Sequence, residues 1–454
     1  MTGALCGLWM LAAAAHSADL MQAYSLAQAN DVVIESARFA LQASQQKVPQ
    51  ARSSLLPSLG LNGSLGDTKG STVYTGTPDV TRSFKNYVWA LQLTQPVYRV
   101  DTYWSYDAAK ASAVQAEAQF AQTRQDLILR VAQAYFDVVV AEEALEAAAA
   151  QVSALKEQEQ AASRSYAAGV ASVTDADDSR SRAALAESQR VAAVDDLDSK
   201  RAVLMAITGT EMMSLAVVDP SASLPSPKPH DLRQWLDEAR QSNPNVLAAR
   251  AGLEAAEFEL KRTRALRLPN VDFVAQYGGN YSSGNIVNPA NYSTRVRDGQ
   301  VSLQLSIPIV DGGGLQGQVG EARAKQRKAE ADLEIARRQA ALDAQQAFGG
   351  VINGLAQVEA LKVAVSAGTN AVKGNRIGYG MGIRINNDVL NAEQQLYSAR
   401  RDLAKARYDT LLQGLRLKSA AGELGDAEVE AINRMLVPNP RVASTAEGRD
   451  TPAQ

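Results

Sequence analysis

Histidine is almost missing from this chain: 454 residues hold two, His16 and His230, and neither sits at ligand spacing. A His-based catalytic or metal centre is therefore poorly supplied. Cysteine is scarcer still. The single Cys6 falls inside an apolar N-terminal run, so a chain trimmed of that run has no disulfide, thiolate nucleophile or Cys zinc site. A basic surplus is lacking too. The 46 Lys and Arg against 49 Asp and Glu leave a net charge of -3, without the electrostatic footprint of a nucleic-acid binder. Gly312-Gly313-Gly314 follows a strand pattern as a phosphate loop would, but no GK[ST] comes after it. No cofactor, metal or catalytic residue is expected, and the chain does not read as an enzyme.

Long hydrophobic runs are absent after residue 18, so any membrane crossing must be made by a barrel. The one apolar run, residues 3–15 (GALCGLWMLAAAA), is too short to span a bilayer as a helix and leads into small residues. Residues 1–18 read as a signal peptide cleaved near Ala15 or Ala18. No Lys or Arg precedes Arg38, so the usual positive segment is missing, and a start upstream of Met1 would supply one. Leu5 before Cys6 does not suit a lipoprotein signal.

What is present is a duplication. Pro57 recurs as Pro269, and Gln95-Pro96-Val97 as Ile307-Pro308-Ile309, both at an offset of 212 residues. Ser165 to Gly169 then matches Gly378 to Gly382 at 213, as do Asp175 with Asp388 and Thr208-Gly209 with Ala421-Gly422. One spacing with a single-residue slip means two copies of one unit. The expected division is a first repeat at 19–218, a Pro/Ser-rich linker at 219–230, a second repeat at 231–425 and a disordered tail at 426–454.

Each repeat reads helix, hairpin, very long helix, second helix. From Val97 to Ala168 there is no Gly and no Pro, only good helix formers, which makes a rod of about 100 Å. Its apolar positions (Leu127, Val131, Ala134, Val138, Ala141, and on to Leu155) step by four and three, the seam of a coiled coil. Val389, Ala392, Leu396, Ala399, Leu403 and Ala406 keep the same rhythm in the second copy. The second long helix, from Leu315 to about Ile377, carries Gly349, Gly350 and Gly354, where a bend or frayed stretch is expected.

The hairpins argue against a soluble bundle. Leu59, Leu61 and Leu65 alternate with small or polar residues; so do Tyr87, Trp89, Leu91 and Leu93, then Val271 to Tyr277, then Val301 to Ile307. These are four period-2 strands of about 9–11 residues, the length that tilts across a bilayer, with long polar connections expected at 68–83 and 281–295. Four strands cannot close a water-filled barrel, which needs about eight. Three chains would give twelve, and four chains sixteen; a trimer is the simplest arrangement. The fold class is a membrane α+β protein, an outer-membrane β-barrel continued by a long α-helical coiled-coil tunnel.

These features resemble the TolC family of outer-membrane efflux and secretion proteins. The likeness is carried by Asp19-Leu20-Met21-Gln22-Ala23-Tyr24, by the strand-to-helix junctions Thr94 to Tyr98 and Ser306 to Gly313, and most fully by Tyr379 to Gly422. It implies a homotrimer in the outer membrane with a periplasmic extension, recruited by a periplasmic adaptor and an inner-membrane pump such as an ABC transporter. It also implies a gate. The helix-to-helix turns at Gly169 and Gly382 would be the periplasmic tips that meet the adaptor. Tyr379 and Arg384 would bond across to Thr174 and Asp175 and hold the coils shut. Asp388 would form a ring of three carboxylates, and Asn391 stands where the family often has a second Asp. Ser172-Val173-Thr174-Asp175 has capping-box spacing in any case.

Three functions follow. The leading one is the exit duct of type I secretion, which passes a protein substrate outward. The alternative within the family is small-molecule or multidrug efflux. A periplasmic coiled-coil structural or adaptor protein is the alternative of another class, opposed by the paired strands.

Overall fold

A computed structural model describes residues 17–73, 75–76, 78–212, 214–286 and 292–438. Nearly all of the expected signal peptide, and the tail beyond 438, lie outside the described residues. Ala18, beside one expected cleavage site, is bridged to Leu215.

The first repeat comprises α1 (Leu20–Asn30), α2 (Val32–Ser53), β1 (Ser58–Thr72), β2 (Val80–Tyr98), α3 (Val100–Ala167) and α4 (Val173–Thr208). After β3 (Val217–Val218), the second repeats the order with α5 (Leu232–Ser242), α6 (Pro244–Ala265), β4 (Asn270–Ser282), β5 (Thr294–Ser306), α7 (Gly314–Gly380) and α8 (Asn386–Ala420). Then come α9 (Asp426–Asn433) and β6 (Leu436–Val437).

Each repeat breaks its opening helix at one matched position. Asp31 is extended; its Oδ1 accepts the N–H groups of Val33 (2.8 Å) and Ile34 (2.9 Å) and so starts α2 afresh. Asn243 does the same before α6, accepting from Asn245, while its Nδ2 donates to the Ala420 carbonyl at the end of α8. Asp31 also pairs with Arg130 at 2.8 Å. Burial pushes the Asp31 carboxyl up, but the Arg130 hydrogen bond and the two backbone donors outweigh it and hold the group below its usual range. A depressed carboxyl stabilises the fold above its unfolded value of about 3.9 and loses that contribution as pH falls through the folded value. Replacing Asp31 by Asn is thus expected to cost about 1–2 kcal/mol at pH 7, discounted because Arg130 is partly exposed. The gap between variant and wild-type melting temperatures should narrow as pH falls below about 4.

The chain divides into two compact units. One holds the described parts of 1–38, 119–246 and 336–454. Its core packs Leu20 and Tyr24 of α1 against Leu127, Val131, Tyr135 and Val138 of α3 and Leu411 and Leu415 of α8, so the seam read from the sequence is buried. The Tyr135 hydroxyl lies 3.0 Å from the Ala18 carbonyl and 2.8 Å from that of Ala216, which ties the chain start to the β3 segment.

Two expectations are corrected in this unit. Residues 426–438 are ordered, not part of a disordered tail. The α9 helix buries Val429 and Ile432, Asp426 accepts from Tyr24 and Arg124, Asn433 bonds Asp19 and Met21, and β6 pairs with β3. The glycines of α7 do not fray it either, since the helix is continuous over 67 residues. A Cβ at Gly354 would run into Thr410 of α8, and one at Gly350 into Gln413. These glycines let two helices approach closely.

The other unit holds 39–118 and 247–335 and contains a four-stranded antiparallel sheet, in the order β1-β2-β4-β5. The strands run 13 to 19 residues, longer than expected, because residues 68–72 pair with 80–84. The hairpin connections are accordingly shorter, at 73–79 and 283–293. At the helix-proximal end Arg99 clamps Asp272 with two bonds, 2.8 and 2.5 Å, joining the hairpins of both repeats. Register puts Leu61, Leu91 and Tyr277 in one row and Leu59, Leu93, Ala275 and Val301 in the next. This apolar face is uncovered: Leu61 is 71% exposed, Leu65 72% and Leu303 70%. The opposite face carries Asn62, Gln92, Gln276 and Gln300. Trp89 lies over Gly279, where a Cβ would meet the indole at 2.7 Å, and stacks edge-on with Tyr277.

Candidate functional site

Both helix-to-helix turns are built alike. At the α3–α4 turn the Val170 N–H bonds the Ser165 carbonyl and the Gly169 N–H bonds that of Tyr166, both at 2.9 Å. At the α7–α8 turn Ile383 and Gly382 repeat the pattern onto Gly378 and Tyr379, at 2.9 and 3.0 Å. This double bond onto the last turn needs a left-handed residue, and Gly169 and Gly382 supply it at φ 74° and 71°. Around them Val170, Met381, Ile383 and Ile385 are 63 to 81% exposed, an apolar tip without cover in the single chain.

The two copies then diverge at the helix starts. Ser172 caps α4: its Oγ accepts from the Asp175 N–H at 3.2 Å, and Asp175 Oδ2 accepts in return from the Ser172 backbone at 3.3 Å. Thr174 Oγ1 lies 3.1 Å from the same Ser172 hydroxyl. At the matched position α8 has Ile385, which has no capping side chain. Asp388, the counterpart of Asp175, is therefore left out of a capping box. It is half-buried, and its Oδ2 lies 3.6 Å from Arg384 Nη1. The Arg384 stem lies over Gly378, where a Cβ would meet it at 2.7 Å.

Within one chain no described hydrogen bond joins Tyr379 or Arg384 to Thr174 or Asp175. Asp175 and Thr174 are engaged with Ser172, Arg384 with Asp388, and Tyr379 is half-buried in the last turn of α7.

A second set of polar residues binds the two coils together, and of these sequence reading singled out only Asn391. Arg182 of α4 forks onto α8, 2.9 Å to Asn391 Oδ1 and 2.7 Å to Asn387 Oδ1, while pairing with Asp178 on its own helix. Beneath it the buried Asn386 donates to Ser179 Oγ at 2.7 Å and accepts from Gln158 of α3. Arg376 of α7 grips the buried Glu393 of α8 through Oε1 at 2.9 and 2.7 Å, and that hydrogen bond holds the guanidinium pKa above its ordinary value. Their spacings cross helices, so no helical or strand period marks them. The one available signal was the Asn386-Asn387 pair with Asn391, three amides on the first turns of a helix.

An uncovered apolar sheet, long paired helices and closely matched turns define an outer-membrane channel, a β-barrel with a helical tunnel. A family model described as outer membrane efflux protein matches residues 23–210 and again 235–423, once per repeat. The chain belongs to that family, one of channels and not of enzymes. It is 28% identical over 430 residues to the outer membrane protein TolC of Vibrio cholerae serotype O1, covering 94% of this chain and 96% of that protein. It is 30% identical over 424 residues to the proteases secretion protein PrtF of Dickeya chrysanthemi, covering 91% and 90%. Among solved structures, the outer membrane protein VceC of Vibrio cholerae superposes with a TM-score of 0.75 at 20% identity, covering 89% of this chain and 96% of that one. The protein is located in the outer membrane, with a periplasmic extension.

Proposed function

We propose that three copies of this chain form the exit duct of a type I secretion machine, passing a protein substrate from an inner-membrane ABC pump and its periplasmic adaptor to the exterior. The observation that carries this is the sheet. Its apolar face is bare, its other face is polar, and β1 and β5 are its two edges. Unpaired edges in hydrocarbon are too costly to persist, so β5 of one copy must meet β1 of the next until the ring closes. Twelve strands close with a polar lumen. The bare apolar residues at the tips suit an adaptor's helices. Export of protein is favoured by the 30% identity to a proteases secretion protein over nine-tenths of both chains.

Deleting the gene tests this: an extracellular protein should disappear from the medium while sensitivity to dyes and antibiotics stays near wild type. The reverse pattern would transfer the duct to small-molecule efflux. The purified protein should run as a heat-modifiable trimer, and a detergent-independent monomer would remove the barrel.

In this reading Tyr379 and Arg384 close the tip by bonding to Thr174 and Asp175 of neighbouring coils, once assembly brings them together. Bonds of about 0.5–3 kcal/mol each can hold a gate and still yield to an adaptor. Tyr379→Phe with Arg384→Ser is expected to raise single-channel conductance several-fold with the trimer intact. Unchanged conductance would limit these residues to shaping the turn.

A further inference from the structure

The apolar face of the sheet has a charge asymmetry that the duct does not explain. In the helix-proximal stretches of the strands, 58–65, 87–98, 270–278 and 299–306, there is no Lys or Arg. Toward the hairpin turns, the same face carries Lys69, Lys85, Arg295 and Arg297. Register fixes this. Leu65, Tyr87, Tyr281 and Arg295 share one row, Gly63, Trp89, Gly279 and Arg297 the row below it, and Asp67 and Lys85 the row above, with Lys69 one step further out. All four cationic residues are exposed. Asp67, the one carboxylate among them, accepts from the Ser83 hydroxyl at 3.0 Å. Arg295 rests over the Tyr281 ring, 5.6 Å from its centroid, which holds its guanidinium at the level of the aromatic residues.

Aromatic residues of a barrel mark the boundary between hydrocarbon and headgroups. The helices are periplasmic, so the hairpin turns lie at the outer surface, and these cations, spread over four successive rows from the aromatic level outward, stand at the headgroups of the outer leaflet. We infer that Lys69, Lys85, Arg295 and Arg297 form a binding site for a phosphorylated glycolipid of that leaflet. Charge complementarity selects phosphate, since guanidinium groups bond its oxygens two at a time and an ammonium adds a point charge. Position selects a lipid: the cations follow directly on lipid-facing rows and share their face. Lys85 and Arg295 are separated by two strand intervals and one row along the strands, about 12 Å between backbones, which suits a headgroup bearing two separated phosphates.

The test uses the purified full-length assembly in detergent and native mass spectrometry. Wild type should retain a bis-phosphorylated glucosamine-disaccharide lipid (lipid A), and K69Q/K85Q/R295Q/R297Q should retain it about tenfold less. Arg82→Gln, which removes a cation from the opposite face of β2, should leave retention unchanged. Equal retention by wild type and the fourfold variant would overturn the site. Should that variant not assemble, wild type alone decides: enzymatically dephosphorylated lipid A should bind about tenfold more weakly, and equal binding overturns the proposal. Displacement by inorganic phosphate at matched concentration would overturn the lipid assignment, as would equal retention of phosphatidylglycerol.

Discussion

Replacing Leu91 by Arg is expected to abolish barrel assembly, leaving the chain out of the outer-membrane fraction. Leu91 lies in register between Leu61 and Tyr277, in the stretch of the apolar face that has no charge at all. A lipid-facing Arg near the midplane costs about 2–4 kcal/mol, and the proposed ring of three copies would incur it three times. The neighbouring Gln92 faces the other way, in register with Gly60 and Gln276, among polar groups. Gln92→Arg should therefore assemble close to wild-type yield and alter only conductance. The two variants differ by one residue in position and share the same added side chain, so propensity and bulk cancel. Heat-modifiable oligomer on gels reads the result. Equal yields would mean that the apolar face does not meet lipid.

The elements whose signal lies in their own periodicity were legible in the sequence. Leu127, Val131 and Val138 step along one seam and are buried together, and the two repeats follow the same order of helix, hairpin and helices. Strand length was not legible. Residues 68–72 and 80–84 have no apolar alternation, yet the backbone ladder continues through them. The ordering of 426–438 was missed since composition beyond Pro438 coloured the whole segment, while Val429 and Ile432 are two apolar positions three apart in a helix of eight residues. Gly354 looked like a helix breaker, and only the approach of Thr410 reveals it as a contact. Arg182 and Arg376 were invisible for a related reason. Their partners lie on other helices, at separations that no local pattern encodes.

Asp388→Ala is expected to remove nearly all of the cation selectivity of the channel and its block by multivalent cations. In the proposed trimer three carboxylates would face a narrow, partly dehydrated passage and focus a negative potential, as acidic rings do in cation channels. The competing role for Asp388 is to steady the start of α8, where the helix dipole favours a carboxylate. The duplication separates the two. Asp175 at the matched position is bonded into a capping box with Ser172, whereas Asp388 has Ile385 in place of that serine and no box to complete. Loss of Asp388 should consequently change melting by about 1 kcal/mol or less, the ordinary dipole contribution, while reversal potential shifts strongly. Arg384, 3.6 Å away, mutes the carboxylate, so Arg384→Ser should strengthen block. Asn391→Asp adds a second carboxylate one turn on, but Arg182 already donates to that side chain at 2.9 Å and would neutralise much of the new charge. Block should tighten modestly in Asn391→Asp and markedly in Asn391→Asp with Arg182→Gln. A normal block in Asp388→Ala, together with a lowered melting temperature, would assign the residue to helix stability and move the constriction elsewhere.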